Sequence, residues 1–486
     1  MSDQANSTRT FPFPQPDPLL AGRFSARKVI RCLAFFGPAA IVASVSIGAG
    51  ETVLAVRTGA WSGYGLLWLV LLACLTKQLF LEYAIGRYTV ITGEFLGDAW
   101  ARIPGPKGWF LWFILIIGWM IAPFFVSAIA GACGGLMTTI FGFGDPKIWG
   151  TLFALGAVSL GIGVSYAKME QQQVIICLVL VLGTLVGAII SSPSLAKMLK
   201  GMFSFGFIPS YPDWTQADPN FVGRSKPLEV ATVFGYIGGV MSGYVVYAHW
   251  TSLHGWGMNR SPQIDEIRNL GRREGPVYLS REKEEVLKAR ALLAPIRWDI
   301  GLGTFVLFFV SAAFLIAGAE VLLPRHVLPG GFVLLSHQKA IWEQISPVMV
   351  PVYYLSVLAA LWGTLYGIPE IYARVTHEFL GALFISVRRL AYRKVFLWVG
   401  IYIAALSVFV IWMGMTPVTM MDIAAMIDTN IGLMLVSFGV LWLNSSLPKE
   451  YRMSKPVLIG VSLTAAVLAF VSAMSVTQMW SKYICH

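Results

Sequence analysis

Apolar residues in this chain gather in long blocks of roughly 20, the length a helix needs to cross a bilayer. Scanning for such blocks predicts about eleven spans. The first five lie near 30–60, 62–86, 108–141, 147–167 and 172–192. The others lie near 228–257, 298–323, 347–372, 392–415, 421–446 and 455–479. Between them, 193–227 accumulates Pro, Tyr, Trp and Asp and reads as an extramembrane loop. The most charged stretch, 258–297, with RREG and SREKEEVLKAR, predicts a solvated loop carrying a short surface helix. Residues 1–28 are polar and Pro-rich and read as a tail, with no cleavable signal peptide.

Composition agrees with the pattern. Of 486 residues, 56% are hydrophobic and 13% charged, where a soluble domain carries about 25% charge to keep its surface solvated. Disorder, a soluble secreted fold and a disulfide scaffold are excluded. The net charge of +11 would suit nucleic acid, but the basic residues gather in loops on one side of the predicted spans. With the N-terminus in the cytoplasm, about 26 of the 36 Lys and Arg fall inside. Five occur up to Arg31, nine lie across Arg260–Arg297, and Arg388, Arg389, Arg393 and Lys394 cluster together. The expectation is a multi-pass, monomeric protein of a cell or inner membrane, with the C-terminus outside and no nucleic-acid partner. Cys32, Cys74, Cys133, Cys177 and Cys485 are scattered without C-x-x-C and read as small hydrophobes. No phosphate-binding loop, zinc spacing or triad pattern occurs, so neither enzyme chemistry nor a cofactor is expected.

Two glycine clusters stand at mid-span. The first span holds SIGAGETV, with Gly48, Ala49 and Gly50 before Glu51; the sixth holds Gly235, Gly238, Gly239 and Gly243. Each Gly weakens a helix by about 1 kcal/mol relative to Ala. Clusters five spans apart suit an inverted repeat of five plus five helices, 29–192 and 228–446, with 447–486 appended. Each repeat would open with a discontinuous helix whose freed backbone lines a midplane site. Close helix packing through small residues is the plainer reading of glycines alone. Glu51 tips the balance, because a mid-bilayer carboxylate costs about 2.5–3.5 kcal/mol unless it meets a cation, a partner or a cavity. Lys77 is one conceivable partner.

The stretch from GPAAIVASVSIGAGETV through GA-x-x-GY-x-LLW to EYAIGRYTVITGE resembles the first two helices of the Nramp divalent-metal transporters. EEVLKARALLAPIRWDIGLGTFVLFFVSAAFLIAGA is similar to that family's approach to its seventh helix. The resemblance implies an all-α, LeuT-type fold with helices 1 and 6 broken and alternating access around a central cation site. It also implies correspondences with departures. The family's D-P-G-N break falls on Gly48, Ala49, Gly50 and Glu51, so the metal-binding Asp is Gly48 and the carboxylate is displaced to Glu51. Its Met-Pro-His falls on Ser242, Gly243 and Tyr244, and its backbone-carbonyl position on Gly239. A one-residue slip would put Met241 at the thioether position instead. The tenth-helix Gln falls near Thr429, between Asp428 and Asn430.

A thioether beside oxygen ligands favours Mn²⁺ or Fe²⁺; a hydroxyl and a glycine-lined gap weaken that choice. Mg²⁺ prefers octahedral oxygens and retained water. Gly48, Glu51, Gly239, Ser242, Asp428 and Thr429 are the candidate cation ligands. Ala49, Gly50, Met241, Tyr244, His249 and Asn430 are candidate pathway residues. This resembles the Nramp-related magnesium transporters, and the expected cargo is Mg²⁺, with Mn²⁺ accepted. The third span lacks Asp, Glu and His, so movement without proton coupling is expected. A carrier of an organic cation or amino acid, or a non-transporting sensor, are the alternatives. Lys77 and Glu82 are expected near the cytoplasmic end, pairing or snorkelling. Glu320 and Glu370 fall near span ends, and His249 reads first as a packing residue.

Overall fold

A backbone inside lipid must satisfy its own hydrogen bonds, which only helices and closed barrels achieve. The computed structural model describes residues 9–18, 30, 32–161, 164–191, 193–218, 221–343 and 346–483, and their ordered elements are helices. The last residues of the chain, Cys485 among them, lie outside the described residues.

Among the described residues, eleven principal helices follow one another, with shorter helices between some of them. The first, α1, has halves α1a (Pro38–Ser46) and α1b (Val56–Ser62). Then come α2 (Leu67–Thr92), α3 (Trp109–Phe141), α4 (Pro146–Gly161) and α5 (Tyr166–Ser191). The sixth, α6, has halves α6a (Lys226–Tyr236) and α6b (Met241–Leu253). The remainder are α7 (Ala294–Ala317), α8 (Met349–Leu383), α9 (Tyr392–Trp412), α10 (Pro417–Ser446) and α11 (Lys455–Tyr483). Among the described residues eight stretches are long and apolar enough to cross a membrane, and the bent pair in α1 makes nine. The other two, α4 and α5, fall where the sequence predicts the fourth and fifth spans; α4 has only 16 residues.

The core is built around α1 and α6. The α1a half packs on α5, α7 and α8, while α6a rests on α10 and α11. The α6b half packs on α2 and α8, and α3 packs on α4, α8, α9 and α10. The two Gly clusters behave differently. The sixth helix unwinds as predicted: Gly238 and Gly239 take φ of 92° and 82° between the extended residues Ile237 and Val240. The first does not unwind. It continues through a π-helical stretch, Ile47–Ala55, and bends by 45°. Its glycines serve close approach: a Cβ on Gly48 would lie 1.9 Å from Thr364 Oγ1 of α8. A Cβ on Gly50 would lie 2.8 Å from the Tyr236 carbonyl at the end of α6a.

Two extramembrane expectations also change. The loop 258–297 forms two helices, Ile264–Glu274 and Lys283–Ala291, rather than one. The N-terminal segment docks on this loop, with Phe11 and Phe13 buried. Phe11 N donates to Tyr278 O at 3.3 Å and Phe13 N to Glu285 Oε2 at 2.6 Å. The aromatic rings of an otherwise polar tail supply the apolar area that holds it there.

Candidate functional site

Unwinding α6 frees backbone groups on both sides of the break, and buried groups of that kind need partners. At the end of α6a, Lys77 Nζ from α2 donates to Phe234 O at 2.6 Å and Gly235 O at 3.1 Å. In the break, Gly238 N donates to Glu51 Oε1 at 3.4 Å, which also accepts from Ser311 Oγ of α7 at 3.3 Å. At the start of α6b, Met241 N donates to Asp428 Oδ2 at 2.6 Å. One cation and two carboxylates thus grip a four-residue gap. Glu51, Lys77 and Asp428 all have 0% exposure.

Each carboxylate keeps a spare oxygen. Glu51 Oε2 and Asp428 Oδ1 accept no hydrogen bond from any described residue. The Tyr372 hydroxyl of α8 lies beside Asp428. A carboxylate with one oxygen held by backbone and one oxygen spare is positioned to bind a cation without first being reorganised. No group of three or more His, Cys, Asp or Glu is assembled among the described residues. Any ion held here would therefore draw on carbonyls, hydroxyls and its own water.

The other predicted residues fall into separate environments. Gly48 faces Thr364 of α8, and Ala49 belongs to the π-helical stretch. Gly50 meets Tyr236. A Cβ on Gly239 would lie 2.3 Å from Ser46 Oγ of α1a. Ser242 is buried against Gly118 of α3, and the Met241 sulfur packs on Gly432 of α10. Tyr244 sends its hydroxyl toward Gly238 and donates to Gln78 Oε1 at 3.4 Å. Thr429 bonds back to Ala425 O at 2.5 Å. Asn430 Nδ2 donates to Ala231 O and Ser475 Oγ, both at 3.0 Å. His249 is away from the break, stacked on Phe95 and bonded to Glu378 at 2.7 Å. Glu370 pairs with Arg374, and Glu320 accepts from Tyr64.

Sequence reasoning missed Ser311 and misplaced Lys77 and Glu82. These two residues of α2 have 0% exposure rather than snorkelling. Lys77 neither reaches an interface nor pairs with Glu51; it caps a helix end. One signal was available: the π-helical stretches Ile47–Ala55, Cys74–Glu82, Gly318–Leu322 and Ala425–Gly432 each contain a charged residue within an apolar span. Such wide turns gather at functional sites.

Polar ties join the helices on both sides of the break. On the α1a side, Asp299 of α7 accepts from Gly37 N at 2.9 Å, Ala39 N at 3.0 Å and Tyr247 Oη at 3.0 Å. This ties the start of α1a to α7 and α6b. On the opposite face, Arg224 grips Asp422 of α10 through two bonds, at 2.6 and 2.8 Å, and also pairs with Glu229 of α6a. Thr232 Oγ1 joins Asp422 at 3.0 Å.

Residues 39–478 match the family described as natural resistance-associated macrophage protein-like. The chain belongs to this Nramp family. Among its relatives, the divalent metal cation transporter MntH of Latilactobacillus sakei is 23% identical over 348 residues, covering 69% of this chain and 66% of the relative. Other curated relatives are matched over about half their length. Among solved structures, a manganese transporter of Eremococcus coleocola superposes with a TM-score of 0.66 at 15% identity, covering 100% of this chain and 92% of that one. MhsT in complex with L-phenylalanine superposes at 0.55 and 16% identity, covering 93% and 100%. These likenesses establish an all-helical LeuT-type membrane fold.

Proposed function

We propose that this Nramp-family chain carries a divalent cation across a membrane by alternating access around the α6 break. The observation that carries this reading is the pair of sealed carboxylates, Glu51 and Asp428. Each is held by a backbone N–H of the break and each has a spare oxygen. The names of the relatives point the same way. The closed contacts at Asp299 and at Arg224–Asp422 supply two gates that would open in turn.

Within that reading the cargo is Mg²⁺, with Mn²⁺ accepted. The Met241 sulfur is packed on Gly432, and the two side chains with a spare acceptor at the break, Glu51 and Asp428, offer oxygens. Hard oxygens without a thioether do not discriminate against a hard ion. Gly48, Gly239, Ser242 and Thr429 remain candidate ligands through backbone or hydroxyl oxygens. Movement is uncoupled to protons, since α3 offers no Asp, Glu or His and His249 is engaged with Glu378. The N-terminus is cytoplasmic, as the basic loops require.

The test is ion uptake into proteoliposomes containing the full chain. Wild type is expected to take up Mg²⁺ and Mn²⁺ without acidifying the lumen, and Glu51→Gln to reduce uptake by about a hundredfold or more. Full Mg²⁺ flux in Glu51→Gln would remove the carboxylate from the mechanism, and acidification that tracks the metal would show coupling. A second reading, a carrier of an organic cation or amino acid, is favoured by one observation. An ammonium is buried at the end of α6a, and no group of three or more His, Cys, Asp or Glu is assembled among the described residues. Calorimetry with Mg²⁺, Mn²⁺ and amino acids separates the two.

A further inference from the structure

Lys77 is an unusual group to find at the centre of a cation carrier. Its side chain rises from the π-helical part of α2, has 0% exposure, and ends between two carbonyl oxygens, Phe234 O at 2.6 Å and Gly235 O at 3.1 Å. The same ammonium lies 4.9 Å from the centroid of the Phe234 ring. Its last methylene lies 3.6 Å from where a Cβ on Gly238 would stand. The carbonyls are those that unwinding leaves without helical partners, and the aligned peptide dipoles give that helix end roughly half a negative charge. A site of two or more carbonyls at the C-terminal end of a half-helix is where a broken-helix carrier binds a small monovalent cation. Here the chain's own side chain fills it.

We propose that Lys77 is a tethered cation occupying the helix-end carbonyl site of α6a, in place of a freely diffusing monovalent coupling ion. The proposal rests on the transport reading above and deepens it, because it gives a structural reason for movement without a co-transported ion. Three features support it. The ammonium's direct contacts are the helix-end carbonyls and the aromatic face, with no ion pair to Glu51, so both Glu51 oxygens stay clear of it. The lysine enters from α2, outside the α6 segment it caps, so it can hold α6a while α1 or α6b moves. Gly238 joins the two grips, since its N–H is bonded to Glu51 and a Cβ placed on it would stand 3.6 Å from the last methylene of Lys77.

The experiment removes the tether and offers the site a free ion. Lys77→Ala and Lys77→Arg are prepared as full-length protein, and two quantities are measured with Na⁺, propylammonium or bulky choline as the only monovalent cation. The first is thermal stability in detergent, which requires no divalent ion. The second is Mg²⁺ uptake into proteoliposomes, with and without an inward Na⁺ gradient. In choline, Lys77→Ala is expected to lose about ten- to a hundredfold in uptake, the equivalent of one charged hydrogen bond. Na⁺ or propylammonium is expected to stabilise this variant saturably and restore uptake, and an inward Na⁺ gradient to drive it uphill. Wild type and Lys77→Arg are expected to ignore both ions. If Lys77→Ala is recovered only as aggregate, Lys77→Gln takes its place under the same criteria, its amide donating one bond to the carbonyls.

A folded variant that neither ion stabilises or restores would overturn the proposal, as would saturable stabilisation of wild type by Na⁺. A purely structural cap would recover stability with propylammonium but would gain no uphill, Na⁺-driven flux, and that result also counts against the proposal. Should wild type move no Mg²⁺ while Na⁺ still stabilises Lys77→Ala alone, the divalent-cation reading fails and the tethered cation stands.

Discussion

The α1 and α6 helices occupy equivalent places in the two repeats and both carry glycine clusters, yet their backbones solve the same problem differently. In α6 the chain gives up helical hydrogen bonds between Tyr236 and Met241, and Gly238 and Gly239 adopt positive φ. In α1 the chain stays hydrogen-bonded through a wide π turn and bends by 45°. The two then complement each other. The unwound helix offers N–H groups and carbonyls, and the intact helix offers the carboxylate of Glu51 that accepts from one of those N–H groups. The unwound helix supplies the site's backbone and the π-helical one supplies its charge. A glycine cluster alone does not distinguish the two outcomes, because glycine permits both positive φ and close helix contact.

The largest expected break in this comparison is loss of the charge on α1. Glu51→Gln keeps a carbonyl oxygen for Gly238 N but abolishes divalent uptake, while the protein stays folded by circular dichroism. Next comes the geometry of α6. In Gly239→Ala, a left-handed residue gains a Cβ placed 2.3 Å from Ser46 Oγ. It should cost about 1–3 kcal/mol in stability, visible as a lowered melting temperature, and unaltered stability would mean the break relaxes freely. Asp428→Asn tests the carboxylate that caps α6b. Asparagine remains a competent N-cap, so stability should fall by only about 0.5–1 kcal/mol, while cation uptake falls about tenfold. Gly243 lies just inside α6b, where a Cβ would meet only Val240 Cγ2 at 3.5 Å. Gly243→Ala is therefore expected to be neutral or to stabilise by up to about 1 kcal/mol. A large loss there would mean that glycine content across α6, rather than two left-handed residues, governs the break.

Much of the fold was legible because a bilayer leaves so few solutions. Apolar blocks of the right length located the spans, with α4 among them although it has only 16 residues. The glycine pair at 238 and 239 located the α6 break. The site was legible only in part. Glu51 stood out because an acid in an apolar run demands an explanation, and Asp428 was picked out beside Thr429 and Asn430. Register within a helix was harder to read. Thr429 and Asn430 are neighbours of Asp428 in sequence, but the helical rotation from one residue to the next turns them to other partners, Ala425 on their own helix and Ser475 on α11. Lys77 was misplaced for a related reason. Hydropathy treats a lysine in a span as seeking the nearest interface, and nothing local reveals that a distant helix offers two free carbonyls.

What the linear order of residues determined was the set of elements: membrane-length helices, a break where two glycines meet, and one carboxylate that lipid would not tolerate. Those follow from local rules, since burial of the backbone and conformational freedom depend on a residue and its near neighbours. Which of the small residues pack, which polar groups converge, and which buried charge answers which was decided only when α1, α2, α6, α7 and α10 came together. Electrostatic and hydrogen-bond partners act over a few ångströms, and residues 51, 77, 235, 238, 311 and 428 come within that reach only in the folded chain.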